Sequence, residues 1–221
     1  MVQLNAVEAR VLGALIEKEI NTPEYYPLSL NATVNACNQK SSREPVMELA
    51  EAEVRSALFE LDQMGLVRTI AETRATKFEH RVRDVLNLRR DEVALLCLLL
   101  LRGAQTPAEL RARSERMYAF DDTAAVLSVL ERMAARAEPL TQLLERQPGA
   151  REVRWVHLLC GPVTETPAAA HPPAPVGAIP ADGVAERVTA LEQHMQALEE
   201  RLRATEERLL ELENAAAKPE P

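Results

Sequence analysis

The chain has 221 residues, of which 47% are hydrophobic and only 3% aromatic, so we expect one or two globular domains with an aliphatic core. Its net charge of −8 divides into −4 over residues 1–80, +2 over 81–160 and −6 over 161–221. No region has the strongly basic balance typical of a nucleic-acid binder, and the nine-residue apolar run Val93–Leu101 is too short for a membrane span of about 20 residues.

The cysteines and the N-terminal residues indicate a cytoplasmic protein. Cys37, Cys97 and Cys160 are far apart and odd in number, so no secreted disulfide framework is suggested. Glu8 lies where a signal peptide would need a basic and then an apolar run.

Helix and hairpin signals follow one another through residues 1–80. Asn5 and Glu8 form a capping box for the first helix, and Gly65 ends the third. The predicted elements are a helix at Asn5–Ile20, a second helix from Ser29 to about Asn35 or Cys37, a polar loop at Asn38–Pro45, a short strand at Val46–Leu49, a third helix at Glu51–Met64, and strands at Leu66–Ile70 and Thr76–His80. Three helices followed by a hairpin predict a winged helix-turn-helix domain.

Residues 81–160 repeat this order. The predicted elements are a short helix at Arg81–Leu86, a leucine-rich helix at Arg89–Arg102, a helix from Thr106 to about Ser114, a helix from Asp122 to about Ala135 capped by Asp121, and strands at Leu140–Glu145 and Arg151–Leu159. We therefore predict a mainly α fold with small β-wings, in which two winged-helix domains lie in tandem at 1–80 and 81–160.

The last 61 residues have a different composition. Residues 161–182 are rich in proline and alanine and predict a semi-rigid linker, whereas 183–216 predict a coiled-coil helix and 217–221 a disordered tail. The heptad seam that we expect to form the dimer consists of Val184, Val188, Leu191, Met195, Leu198, Leu202, Leu209 and Leu212, with one polar position at Thr205.

Charges beside this seam favour a parallel homodimer. Arg187, Arg201 and Arg208 each face a partner glutamate in a parallel pair, whereas an antiparallel pair would set like charges together. The alternative is a lone solvated helix held by Glu–Arg pairs, and the partner could also be another protein. Each exposed pair contributes only about 0.2–1 kcal/mol, so the charges select orientation more than they add stability.

The stretches LNAVEARVLGALIEKE (Leu4–Glu19) and TPEYYPLSLNATVNACNQKSSREPVMEL (Thr22–Leu49) resemble the bacterial YceH-like family of uncharacterised proteins. The resemblance covers about Leu4–Leu159 in layout. It implies a pair of winged-helix domains in a cytoplasmic protein, and it implies no activity, cofactor or ligand residue. A weaker architectural similarity is to the tandem winged-helix subunits of chromosome-segregation complexes, which act through protein contacts.

No enzyme signature stands out in the sequence. The seven glycines do not form a phosphate-binding loop, and the four histidines have no second ligand at metal-binding spacing. Cys37 is expected to be a buried structural cysteine. We therefore expect no catalytic residue, cofactor or metal.

Candidate contacts to double-stranded DNA lie on the loop, the third helix and the wing of the first unit. They are Lys40, Ser41, Ser42, Arg43, Arg55, Arg68, Arg74 and Lys77. The loop itself is equally well explained by polar side chains that satisfy their own backbone. A further cluster of Arg111, Arg113 and Arg116 is either a basic patch or a solvated face paired with Glu109 and Glu115.

Two functions follow from these features. The first is a dimeric DNA-binding or transcription-associated regulator, favoured because the loop and wing cations lie on elements that can face one duplex. Its weak point is the third helix, where Glu51, Glu53, Glu60 and Asp62 stand against the single Arg55. The second is a protein-interaction scaffold that uses its winged helices and coiled coil without DNA binding. Neither reading involves a membrane.

Overall fold

The computed structural model describes residues 3–71, 76–145 and 152–161. Within these ranges the helices are α1 (Ala6–Asn21), α2 (Leu30–Cys37), α3 (Glu51–Gln63), α4 (Val82–Val85), α5 (Arg90–Arg102), α6 (Pro107–Ser114) and α7 (Thr123–Ala134). The strands are β1 (Leu28–Ser29), β2 (Val67–Ala71), β3 (Thr76–His80), β4 (Thr141–Leu143) and β5 (Trp155–His157). The predicted class, mainly α with small antiparallel sheets, is confirmed. The linker beyond Gly161, the coiled-coil helix and the tail lie outside the described residues.

Capping side chains fix the starts of α1 and α6. The Asn5 side chain accepts hydrogen bonds from the backbone N–H of Val7 and of Glu8, both at 2.9 Å, and the Glu8 carboxylate accepts from the Asn5 N–H at 2.9 Å. Thr106 and Glu109 form the same reciprocal pair at α6, with distances of 3.2 and 2.9 Å. Each cap is worth about 1 kcal/mol, and both predicted helix starts are confirmed.

Other boundaries in the second half differ slightly from the prediction. Asp122 rather than Asp121 caps α7, because the Asp122 Oδ1 accepts from the backbone N–H of Ala125 at 2.7 Å. The strands β4 and β5 are shorter than the predicted Leu140–Glu145 and Arg151–Leu159, and they lie inside those ranges.

The strand predicted at Val46–Leu49 is wrong, since this segment has no strand structure. The Asn38 side chain takes the role of a strand partner instead. Its Nδ2 donates to the Leu49 carbonyl at 2.9 Å, and its Oδ1 accepts from the Leu49 N–H at 2.8 Å. One side-chain amide therefore satisfies the backbone groups that a ladder would otherwise pair.

The two halves have the same strand arrangement. In the first half, β3 lies between β1 and β2 and is antiparallel to both. In the second half, β5 pairs with β4, and Trp155 of β5 also exchanges two backbone hydrogen bonds with Gln105, at 3.0 and 2.8 Å. Gln105 precedes α6 as β1 precedes α2, so each half reads helix, edge strand, helix, helix, hairpin.

The helices that open the repeated order in the two halves, α1 and α5, pack against each other in one compact unit; the short α4 precedes the repeat in the second half. A Cβ atom added at Gly13 would lie 2.9 Å from the Leu101 side chain, and the Cys97 thiol donates to the Gly13 carbonyl at 3.3 Å. Gly13 therefore permits the close approach of the two helices. The buried run Val93–Leu101 is confirmed as an interior helix, and the division into two domains at residues 80 and 81 stays a prediction.

Candidate ligand-binding surfaces

Arg43, predicted as a phosphate contact, lies in the interior with no side-chain exposure. Its guanidinium donates to both carboxylate oxygens of Glu17, at 3.0 and 2.5 Å. It also donates to the carbonyl oxygens of Ala36 and Ser42 and to Oε1 of Gln39, at 2.9–3.1 Å. All five N–H groups of the guanidinium are used in this way. Arg43 therefore leaves the set of candidate DNA contacts, because its donors are occupied and shielded.

A second buried arginine, Arg10 on α1, supports the same loop and was missed by the sequence analysis. It is 2% exposed and donates to the carbonyl oxygens of Cys37, at 3.3 Å, and Pro45, at 2.6 Å. Burial, together with the nearby charge of Arg43, lowers the pKa of Arg10. The sequence contained one indication that Arg10 is buried, namely its position next to Val11 on the apolar face of α1.

The other loop candidates, Lys40, Ser41 and Ser42, are exposed. Ser42 has a left-handed backbone, with φ of 61°. The loop is also tied to the second half, because the backbone N–H of Glu44 donates to the Leu101 carbonyl at 2.9 Å. The three polar side chains are thus presented to solvent from an anchored backbone, an arrangement that suits ligand contact.

Two candidate cations are already paired with carboxylates. Arg55 forms an i,i+4 ion pair with Glu51 on α3, and both side chains are more than half exposed. The Arg68 guanidinium lies 2.6 Å from the carboxylate of Glu79, its direct neighbour across the hairpin. Exposed pairs of this kind contribute at most about 1 kcal/mol, so they lower the local positive charge without blocking a ligand.

The last two predicted DNA contacts are Lys77 and Arg74. Lys77 is half-buried on β3, and Arg74 lies outside the described residues. The whole predicted dimer seam also falls outside them.

The outward face of α3 is acidic and carries one large apolar side chain. Phe59 is 60% exposed, whereas the helix buries Val54, Ala57, Leu58 and Leu61. The exposed face also includes Glu51, Glu53, Glu60 and Gln63. The carboxylates of this face repel phosphate, and the exposed ring offers apolar area to a protein partner. Sequence reasoning identified the acidic residues but missed Phe59, which falls outside the spacing of the buried positions.

The basic residues of α7 are used within the fold. The Arg132 guanidinium donates to Glu92 at 2.9 Å and to Asp91 at 2.7 Å, and the bond to Glu92 is the main cause that raises the pKa of Arg132. Arg136 donates to the carbonyl oxygen of Leu86. Arg132 therefore holds α7 against α5, and Arg136, just after α7, contacts the segment after α4.

The arginine cluster on and after α6 divides into different roles. Arg111 donates to the carbonyl oxygen of Asp121 at 2.9 Å, and Arg113 lies 3.8 Å from the carboxylate of Glu109. Arg116 is exposed and has no hydrogen bond or ion pair within the part of the chain that the structure describes. Arg113 is therefore paired with Glu109, as the alternative of a solvated face predicts. The guanidinium of Arg116 is free to contact a ligand.

A cleft of about 420 Å³ lies where the C-terminal ends of α1, α5 and α6 meet the loop between α2 and α3. Its lining residues are Glu17, Lys18, Ile20, Asn21, Thr22, Gln39, Ser42, Leu98, Leu101, Arg102, Arg113, Arg116 and Met117. Both halves contribute to it. Sequence reasoning did not bring these residues together, because the contacts between α1 and α5 join positions more than 80 apart in the chain.

Other titratable groups are explained by their surroundings. The His80 ring lies 2.7 Å from the Glu19 carboxylate, and this hydrogen bond lowers the pKa of Glu19. Burial lowers the pKa of His157 to about 4 and raises that of Cys37 to about 12. In the described ranges no group of three or more His, Cys, Asp or Glu could hold a metal ion. Nor does any helix there have the length and apolarity needed to cross a bilayer.

The repeated helix-and-hairpin unit lies mostly within residues 4–150, which match the family described as a protein of unknown function, DUF480. The chain belongs to this family. It is 57% identical to a UPF0502 protein of Koribacter versatilis, over 71% of this chain and 73% of the relative. It is 48% identical to the UPF0502 protein YceH of Escherichia fergusonii, over 87% and 91% of the two chains, and 49% identical to a UPF0502 protein of Delftia acidovorans, over 86% and 84%. These relatives confirm the expected YceH-like family.

Proposed function

We propose that the chain is a non-enzymatic protein-interaction module, built from two tandem winged-helix domains and paired as a cytoplasmic homodimer through a parallel coiled coil at residues 183–216. The winged-helix assignment is supported by the shared order of helix, edge strand, helix, helix and hairpin in both halves. The reducing setting is supported by the three free cysteines.

The main observation behind this proposal is the outward face of α3. In a helix-turn-helix protein this helix normally enters the major groove, where the duplex is strongly negative. Here its exposed charges are mostly carboxylates, and its one arginine, Arg55, is paired with Glu51. Phe59, 60% exposed at the centre of that face, is instead the kind of aromatic anchor that dominates protein interfaces. The partner therefore has an apolar pocket for the ring and cations at its rim.

Duplex DNA binding is the second candidate, favoured by the exposed loop. Lys40, Ser41 and Ser42 project from the turn between α2 and α3, where a helix-turn-helix contacts the phosphate backbone. This function would involve the wing cations Arg68 and Lys77 as well. The carboxylates of α3 oppose it, since each phosphate contact requires a cation or a neutral donor.

The dimer is a separate part of the proposal. It rests on the apolar heptad seam and on the complementary charges beside it. Light scattering on the full-length chain and on a variant that ends at Cys160 tests it. A dimeric mass that becomes monomeric on truncation supports the coiled coil, and an unchanged mass refutes it.

Site-specific photocrosslinking in cells tests the α3 surface. A photoreactive residue replaces Phe59, and the matched control replaces Glu131, which holds the same ninth position in α7 and is also exposed. We expect a discrete protein adduct at Phe59 that the control lacks. The purified adduct partner should bind Phe59→Ser about 30-fold more weakly, which corresponds to a hot spot of about 2 kcal/mol.

Two results would overturn this function, and the second would favour DNA. One is an absence of any adduct specific to Phe59. The other is affinity for random duplex DNA that falls steeply between about 50 mM and 200 mM salt, the behaviour expected from several phosphate contacts. Because Phe59 is mostly exposed, Phe59→Ser should change stability by no more than about 0.5 kcal/mol, so lost binding reports the surface itself.

A further inference from the structure

The cleft between the two halves has a positive charge that the fold leaves uncompensated. Four of its lining residues are cations, namely Lys18 from the first half and Arg102, Arg113 and Arg116 from the second. Its one carboxylate, Glu17, is bound by the buried Arg43 through both oxygens, so that charge is already neutralised.

Three of these cations have free donors. Arg113 is engaged with Gln105, at 2.6 Å, and with Glu109, at 3.8 Å. For Lys18, Arg102 and Arg116, the described residues provide neither a side-chain hydrogen bond nor an ion pair. Buried polar groups normally have such partners, so the unpaired, half-buried Arg102, grouped with Lys18 and Arg116 around one cavity, indicates a site for an external anion.

Arg102 shows this most clearly, because it is half-buried. Burial, followed by repulsion from the Arg113 charge, lowers the pKa of Arg102, whereas the attractions of Glu17 and Glu44 are smaller. Holding an unpaired guanidinium in these surroundings is unfavourable until an anion enters the cleft.

Helix ends explain only part of this arrangement. Lys18, Arg102 and Arg113 lie in the last turns of α1, α5 and α6, where cations interact favourably with the helix dipoles. That interaction needs only proximity, and it leaves the N–H donors of Arg102 without acceptors. Arg116 follows the end of α6 and lies beyond the last helical turn.

We propose that this cleft binds a phosphate-bearing small molecule of nucleotide size. The planar guanidinium matches the oxygens of a phosphoryl group through two parallel hydrogen bonds, and arginines are the dominant cations here. The volume of about 420 Å³ is within the range of small-molecule sites, roughly 300–1,000 Å³. Ile20, Leu98 and Met117 supply the apolar wall that accommodates the body of the ligand.

Calorimetric titration of the full-length protein tests the site, with pyrophosphate, ADP and adenosine as probes. We expect pyrophosphate and ADP to bind and adenosine to bind much more weakly, since recognition depends on the phosphoryl groups. Arg116→Gln should weaken ADP binding by about tenfold or more, the effect of losing one charge-assisted hydrogen bond. Arg116 is exposed, so this variant should fold normally, and Arg102→Gln should act in the same direction.

Arg90→Gln is the matched control. Arg90 and Arg102 are the first and last residues of α5, and Arg90 is exposed and outside the cleft. The proposal is overturned if neither phosphate probe binds, if adenosine binds as tightly as ADP, or if Arg90→Gln weakens binding as much as Arg116→Gln. It is independent of the α3 surface, and Phe59→Ser should leave the affinity for ADP unchanged.

Discussion

Replacing Arg43 with methionine should destabilise the fold strongly. The substitution removes the bidentate partner of Glu17, which is largely buried, and both donors to the Ala36 carbonyl. Breaking a buried pair by removing one partner costs about 3–5 kcal/mol. A typical domain has a total stability of only about 5–15 kcal/mol, so the loss should be obvious in a urea titration. The matched control Arg55→Met removes an exposed ion pair and should cost at most about 1 kcal/mol.

A double substitution shows whether the effect comes from the unpaired carboxylate. Glu17→Gln added to Arg43→Met removes the buried charge, so the double variant should be more stable than the sum of the single losses predicts. The coupling expected for groups in direct contact is about 0.5–3 kcal/mol. If Arg43→Met costs no more than Arg55→Met, or if the two losses simply add, the structural role assigned to Arg43 is wrong.

Three further predictions concern the interior. Gly13→Val should destabilise the protein by about 1–3 kcal/mol in urea unfolding, because its side chain would overlap Leu101 at the α1–α5 contact. Without denaturant, a thiol reagent that acts by disulfide exchange should modify the exposed Cys160 faster than Cys37, which is buried and whose pKa is raised to about 12, although partial burial also raises the pKa of Cys160. The pKa of His157 is about 4 when folded and about 6.5 when unfolded, so its stabilising effect should be lost as pH falls from 6.5 towards 4, and His157→Phe should flatten that part of the profile measured by thermal melting.

The local features of the fold could be predicted because their chemistry lies within a few residues. The capping boxes at Asn5 and Thr106 use groups three positions apart, and the apolar spacing of α1 reflects the helical period. The strand at Val46–Leu49 was mispredicted because the competing partner, the Asn38 side chain, is 11 residues away. No local pattern reveals such a contact.

The candidate site was harder to predict because exposure depends on distant partners. Arg43 and Arg55 are both arginines in polar surroundings of the sequence. Arg43 is nevertheless buried and bonded to Glu17, which is 26 residues away, whereas Arg55 forms an exposed ion pair with Glu51. The cleft is a stronger example, since Lys18 and Arg102 meet only because α1 packs on α5. Charge counts per helix identified the acidic face of α3, but they could not locate a cation-lined cavity shared by two halves.

The packing of α1 on α5 also has a consequence for synthesis. Cys97 and Gly13, which touch across this contact, are 84 residues apart in the chain. At about 5–20 residues per second, a ribosome takes roughly 4–17 s to add the segment between them. During that time the side of α1 that packs on α5 has no cover, and it stays uncovered after the rest of its half, which ends at His80, has been made. Nascent chains of this protein should therefore expose the apolar face of α1 for seconds, long enough to bind a chaperone or a second nascent copy.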